Sequence, residues 1–191
     1  ESLFKHYINS QPEGAAMQQQ AVRYLEAARF GIDAMANPVE FRPENLGHGV
    51  NSAFAEYSPV LTADGQTLVF TRRSPAEASH SGQGPDVENF YISHHDGYRW
   101  GTAVPLGPPV NTPLNEGAPS ITANGRELFY TACNRPGGFG SCDIYYSVRR
   151  GDTWSQPLNL GRGINTAAWE SQPGISADGR ELYFVSNRPG G

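Results

Sequence analysis

A mainly β architecture, built from repeated antiparallel sheet units behind a helical start, is what this sequence predicts. Three observations carry the prediction. A 25-residue block recurs three times along the chain. Short apolar segments alternate with Asp-Gly or Asn-Gly pairs. Gly (22 residues) and Pro (15) exceed ordinary usage among 191 residues, which suits many short strands and tight turns rather than a helical bundle.

The helical start comes first. Met17, Ala21, Leu25, Ala28, Ile32 and Met35 fall at intervals of three and four, which places them on one face of a helix over residues 14–36. Asn37-Pro38 ends that helix. Ser2–Ile8 reads as the tail of a preceding helix. Two readings of residues 1–37 stay open: a helical cap on the repeat region, or the end of a tetratricopeptide-type array.

The repeats occupy residues 38–191. "LGHGVNSAFAEYSPVLTADGQTLVF" begins at Leu46, "LGPPVNTPLNEGAPSITANGRELFY" at Leu106 and "LGRGINTAAWESQPGISADGRELYF" at Leu160, offsets of 60 and 54 residues. Between them "NFYISHHDGYRWGTAVPLG" is matched by "DIYYSVRRGDTWSQPLNLG", with Ser93 on Ser147 and Trp100 on Trp154. The first repeat therefore reads as Tyr57–Leu61, Thr67–Thr71, Phe90–Ser93 and Trp100–Val104. The second reads as Ala118–Thr122, Glu127–Thr131, Asp143–Ser147 and Trp154–Leu158, and the third as Gln172–Ser176 and Glu181–Val185. Asp64-Gly65, Asn124-Gly125 and Asp178-Gly179 close the first hairpin of each, because these pairs tolerate the positive φ of tight turns. The extra length of the first repeat lies in a Ser/Gly/Pro-rich stretch, which predicts a long surface loop over Arg72–Asn89.

Strand-rich repeats of this period predict an incomplete β-propeller: two complete four-stranded blades plus half of a third. A ring needs about four to eight blades, and unclosed blades expose strand edges that proteins avoid. The chain is thus expected to be part of a longer protein.

Several residues are candidates for chemistry. Cys133 and Cys142 flank "NRPGGFGS" between two strands that should pair, so a disulfide would staple that loop; two buried thiols are the alternative. Glu56, Glu116 and Glu170 each stand three residues before a Pro of the first strand. They form either a carboxylate rim around a channel, able to take a cation or basic ligand, or a repeated structural ion pair with Arg135, Arg188 and their counterparts. A residue repeated in every unit generally serves the fold, whereas function favours positions that break the repeat. By that rule the long loop, with Arg73, His80 and Asp86, is a candidate interaction loop. Trp169, which replaces Ala55 and Asn115 of the other repeats, is a candidate ligand-binding or packing aromatic. Trp100 and Trp154 read as packing residues between blades.

Other classes find no support in the residues. A net charge of −5 without a basic stripe argues against nucleic acid. No apolar run approaches the roughly 18–20 residues of a membrane helix. No nucleophile elbow, zincin motif or phosphate loop occurs, so no catalytic residue and no cofactor is expected. Two Cys without further ligands, and the adjacent pair His94-His95, do not make a metal site.

The order Pro, Asp/Asn-Gly, apolar strand, Asn-Arg-Pro-Gly-Gly and Asp-Ile-Tyr, seen in "SPVLTADGQTLVF", "APSITANGRELFY", "NRPGGFGSCDIYYS" and "QPGISADGRELYFVSNRPGG", resembles the WD40-like repeats of TolB-like propellers over about residues 45–191. "MANPVEFRPENLG" is similar to the junction in Bacteroidota envelope proteins that join tetratricopeptide repeats, such a propeller and a C-terminal OmpA-like domain, one branch of which belongs to type IX secretion and gliding machinery. The resemblance implies a periplasmic, outer-membrane-associated scaffold that binds other envelope proteins and reaches peptidoglycan through a domain absent from this chain. The expected function is a non-catalytic protein–protein interaction module. The alternatives are a glycan-binding propeller and the propeller domain of a hydrolase or peptidase.

Overall fold

The computed structural model describes residues 2–10, 16–75 and 86–190. It divides into two compact units, Glu1–Glu44 and Asn45–Gly191. The boundary lies beyond the expected residue 37. Asn45 is where the repeat domain begins to be fixed: its side-chain oxygen accepts the Gly47 N–H at 2.8 Å and so shapes the first Leu-Gly turn.

The first unit is a helix pair, α1 (Ser2–Ser10) and α2 (Ala16–Ala36). Asn37 ends α2 by donating its backbone N–H to the Asp33 carbonyl at 2.9 Å. The helices meet through the tilted rings of Phe4 and Tyr24, 5.9 Å apart, and through Gln18 Nε2 donating to the Ile8 carbonyl. Of the expected apolar stripe on α2, Ala21 and Leu25 are buried, whereas Met17, Ile32 and Met35 are exposed.

The second unit is mainly β and antiparallel. β1 (Ala55–Leu61), β2 (Thr67–Pro75), β3 (Asp86–His94) and β4 (Val104–Pro105) form a four-stranded sheet in that order. β5 (Glu116–Ile121), β6 (Glu127–Cys133), β7 (Cys142–Arg150), β8 (Thr153–Trp154) and β9 (Leu158–Asn159) form a second sheet of five strands, and β10 (Glu170–Ile175) pairs with β11 (Leu182–Ser186). Each β1-type strand carries a bulge at its Pro: the register shifts between Tyr57 and Val60, Gly117 and Ser120, and Ser171 and Gly174. Ser58, Ala118 and Gln172 take positive φ there, a strained conformation repeated three times.

Two expected elements are corrected. Arg72–Asn89 is not all loop. β2 and β3 stay paired from Thr67↔His94 out to Pro75↔Asp86, which places Arg73 and Asp86 on strands and leaves residues 76–85, with His80, outside the described residues. The fourth strands are not continuous either. Trp100 bridges His95, Trp154 pairs with Arg149, and regular pairing resumes only at Val104 and Leu158. The break is a side-chain substitution for the ladder: Ser93 Oγ donates to the Gly101 carbonyl at 2.7 Å, and Ser147 Oγ to the Ser155 carbonyl at 2.8 Å.

The hairpin turns share one mechanism. Asp64, Asn124 and Asp178 each accept both a hydroxyl two residues back (Thr62, Thr122, Ser176) and the backbone N–H two residues on. These bonds to the charged form hold the Asp64 and Asp178 carboxyls below the usual range. The following glycines take φ near +70°, which a side chain would oppose.

The core lies between sheets. Val69, Phe90 and Ile92 of the first sheet pack with Val110, Leu128, Tyr130, Tyr145 and Trp154 of the second sheet and its leading turn. Phe90 meets Tyr130 edge-on at 5.3 Å between ring centroids. Trp154 thus belongs to the core between sheets, while Trp100 packs on a smaller cluster of Val50, Leu68, Phe70 and Ala103.

One asparagine per repeat completes the ladder. Asn111 Oδ1 accepts the Phe90 N–H at 3.0 Å and its Nδ2 donates to the Phe90 carbonyl at 2.9 Å. Asn165 makes the same pair with Ile144, at 2.8 and 2.9 Å. A side-chain amide thereby stands in for a strand residue opposite the third strand. Asn165→Leu, which strips both bonds from a buried site, is expected to lower stability by ~1–3 kcal/mol, whereas Asn51→Leu at the same repeat position should leave it unchanged or raise it, because the buried Asn51 Oδ1 it removes has no partner among the described residues. Urea denaturation midpoints of the two variants check this.

Candidate functional site

The repeated glutamates sit at the start of the first strand of each sheet. Thr112 donates both its hydroxyl and its N–H to Glu116, and Asn89 Nδ2 and Arg135 NH2 complete the set at 3.0 and 3.1 Å. Glu170 accepts the N–H and hydroxyl of Thr166, at 2.8 and 2.7 Å, and the Ser186 hydroxyl. Glu56 accepts from the Ser52 N–H and hydroxyl and from Arg72 Nε at 2.8 Å. In each case the hydroxyl donor stands four residues before the acid, so the turn and the strand are tied together locally.

An arginine closes each set and also grips the carbonyl just before the repeated asparagine. Arg72 reaches Val50, Arg135 reaches Val110, and Arg188 reaches Ile164. Arg135 and Arg188 come from Asn-Arg-Pro after the second strand, but Arg72 comes from within β2 itself. The guanidinium of Arg72 lies over Tyr91 at 4.1 Å and that of Arg135 over Tyr145 at 5.1 Å, third-strand rings in both sheets. Arg188 lies over Phe184 of β11 alone among the described residues, and stands 3.9 Å from Glu170.

Glu116 and Glu170 are both shielded from solvent, yet they titrate in opposite directions. Burial holds Glu116 above the ordinary carboxylate value against the pull of Thr112 and Arg135. Glu170 also feels a burial penalty, but bonds from Thr166 and Ser186 and the charge of Arg188 outweigh it, and it sits below. The two solvent-shielded carboxylates differ because far less protein surrounds Glu170, which belongs to the two-stranded sheet. Their hydrogen bonds are nonetheless the same in kind.

Cys133 and Cys142 form a disulfide at the mouth of the β6–β7 connection, where the two residues are directly paired. At the start of β7 Asp143, itself buried, accepts the Phe139 N–H of this loop at 2.6 Å and the Gly140 N–H at 3.0 Å, and Asn159 Nδ2 donates to it at 2.9 Å. Asp143 is visible in the repeat as the Asp of "DIYYS", but its role is not, because the first sheet has Asn89 there and uses it on Glu116 instead. Gly140 is pressed against the Ala168 carbonyl so closely that a Cβ would collide with it. Trp169 is half-buried beside this loop: its backbone bridges Cys142, and it exchanges hydrogen bonds with Asn187. Asn115, at the same repeat position, makes the equivalent inter-sheet tie by accepting the Glu88 N–H.

Next to the stapled loop lies a cleft of about 500 Å³ lined by Gly138, Phe139, Arg162, Asn165, Thr166 and Ala167. The Arg162 guanidinium rests 4.9 Å over the Phe139 ring. Position 162 breaks the repeat, since His48 and Pro108 occupy it elsewhere. In the first sheet the corresponding connection is carried outward by the extended β2–β3 arm, where Arg73 and Asp86 form a half-exposed ion pair at 3.2 Å. Among the described residues no cluster of His, Cys, Asp or Glu is arranged to hold a metal ion, and no helix is long and apolar enough to cross a membrane.

No protein-family model matches the chain, and no curated protein matches it in sequence.

This geometry has two measurable consequences. Arg135→Leu leaves the Glu116 carboxylate buried without its cation and should cost ~3–5 kcal/mol, while Arg135→Leu combined with Glu116→Gln should recover part of that loss; denaturation of the single and double variants measures it. Reducing the Cys133–Cys142 bridge, which closes a loop of 9 residues' separation, should lower stability by ~2–3 kcal/mol. Denaturation with and without reductant, with Cys133→Ser/Cys142→Ser as an insensitive control, reads that difference.

Proposed function

We propose that the repeated sheets are blades of a β-propeller and that the chain is a non-catalytic binding module of a periplasmic, outer-membrane-associated protein. The observation that carries the reading is the division of labour among its polar groups. The repeated Glu and Arg side chains, Asn111 and Asn165, and the lone Asp143 are spent on hydrogen bonds within the repeats or between neighbouring ones. Two other pairs lie outside that network: Phe139 of the β6–β7 connection with Arg162 of the turn before β10, and Arg73 with Asp86 at the outer end of the β2–β3 ladder. A rigid loop beside an open cleft, presented by a scaffold whose own charges are satisfied, suits recognition of another protein. The Cys133–Cys142 disulfide supports an oxidising compartment, in keeping with the periplasm. Type IX secretion or gliding machinery is the setting we propose, with anchorage to peptidoglycan by an OmpA-like domain outside this chain.

A photo-crosslinker placed at Phe139 in the intact protein, in its native cells, tests the reading. The expected result is a discrete protein adduct in the envelope fraction, lost with Arg162→Glu and absent when the crosslinker replaces the fully exposed Tyr98. An adduct to glycan strands alone would overturn the protein-binding reading. Repurified protein that turned over glycosides, esters or peptides would overturn the non-catalytic one.

A further inference from the structure

The repeated asparagine has a partner in two repeats and none among the described residues in the first. Asn111 and Asn165 each spend both amide groups on one residue of a third strand, Phe90 and Ile144. The same third-strand residue accepts a second bond from the backbone of the repeat's opening leucine, Leu106 N–H to Phe90 and Leu160 N–H to Ile144, at 2.9 and 3.2 Å. In the first repeat the corresponding groups are Asn51 and Leu46. The Asn51 Oδ1 is buried and without a hydrogen-bond partner among the described residues. Leu46 is 44 % exposed, whereas Leu106 and Leu160 are half-buried.

The segment is nonetheless held in its working shape. Val50 and Asn51 donate their N–H groups to the Gly47 carbonyl at 3.1 and 2.9 Å, as Asn111 does to Gly107 and Asn165 to Gly161. Arg72 fixes the Val50 carbonyl at 2.8 Å, as Arg135 and Arg188 fix those of Val110 and Ile164. A buried amide oxygen without a donor is costly, and here it stands in a turn whose two counterparts show what fills it.

We infer that Leu46–Asn51 is a docking edge for one extended β-strand of the repeat's third-strand type. The strand sets an apolar residue opposite Asn51, whose N–H is accepted by Asn51 Oδ1 and whose carbonyl accepts from Asn51 Nδ2, followed by Tyr and, two residues further, Ser. That is the pattern of Phe90-Tyr91-Ile92-Ser93 and of Ile144-Tyr145-Tyr146-Ser147. The recognition is by backbone pairing, with one side chain supplying both hydrogen bonds. It concerns none of the residues that line the Phe139 cleft and stands whether or not that cleft binds a protein.

The test is a titration of the whole chain into a fluorescently labelled peptide of the Asp86–His94 sequence, followed by anisotropy. Saturable binding is expected, weakened about tenfold or more by Asn51→Leu in the protein, as loss of two hydrogen bonds implies. N-methylation of the peptide at its Phe removes the N–H aimed at Asn51 and should weaken binding equally. N-methylation at its Tyr blocks instead the opposite edge, the one a third strand turns toward its second strand, and should leave binding unchanged. Absence of saturable binding would overturn the inference, as would Asn51→Leu or the Phe-methylated peptide binding as tightly as the originals. Sensitivity confined to the Tyr-methylated peptide would also overturn it, assigning the strand to the free edge of β11.

Discussion

Everything in the repeat domain hangs on an inaccessible carboxylate. A charge taken out of water is destabilising unless each of its oxygens is met, so Glu116 and Glu170, both fully shielded, dictate the positions of everything around them. The Thr four residues back must turn its N–H and hydroxyl inward, and an arginine must arrive from the end of the second strand. That arginine in turn holds the carbonyl next to the repeated asparagine, and the asparagine holds the third strand of the neighbouring sheet. One ion pair therefore connects a turn, two strands and the adjacent sheet. A repeat that lost the acid would lose the register of its neighbour as well as its own.

The first repeat shows how strong that demand is. It has no Asn-Arg-Pro: Ser74 and Pro75 stand at the aligned positions of Arg188 and Arg135. Yet Arg73 pairs outward with Asp86, and Arg72 turns in from within β2 to meet Glu56 and Val50. The guanidinium ends in the same surroundings, over the third-strand tyrosine, although its Cα lies elsewhere in the repeat. The electrostatic requirement is kept and the sequence position is not, as expected when an unpaired buried charge costs more than a rearranged side chain.

The legibility of the fold in the residues alone has the same physical basis. The period of the repeat and the Asp/Asn-Gly turns are local signals, and they place β1, β2, β5, β6, β10 and β11 to within a few residues of where they lie. The fourth strand is different. Trp100–Val104 has strand-like content, but Ser93 captures the Gly101 carbonyl, and a side chain competing for the ladder leaves no trace in apolar periodicity. The long connection of the first repeat is misleading because its Ser/Gly/Pro-rich composition reads as loop, whereas the Arg73–Asp86 pair lies within a ladder that continues to Pro75. Asn111 and Asn165, with their counterpart Asn51, stand in all three aligned blocks. Their role is hidden because it lies between repeats, and a linear pattern shows only what recurs in position and not what it touches.

Repetition and function pull in opposite directions here, and that opposition locates the candidate surface. Side chains that recur together with their partners, as in the Glu–Arg sets, have their hydrogen-bonding capacity committed when the domain folds; Asn51 is the exception, its Oδ1 having no partner among the described residues. Apart from such an unpartnered side chain, a residue without counterparts is the one free to be selected for something outside the fold. Arg162 meets that condition, since His48 and Pro108 stand at its position in the other repeats; it contacts Phe139, and the two line a cleft beside a loop held by Asp143 and the disulfide. Trp169 breaks the repeat as well, but its backbone is bound into the junction of the second and third sheets, the place Asn115 fills one repeat earlier. Departing from the repeat is therefore not sufficient for a binding residue. The further condition is a side chain left unspent by its own scaffold, and the cleft beside the stapled loop is where that condition is met by two neighbouring residues at once.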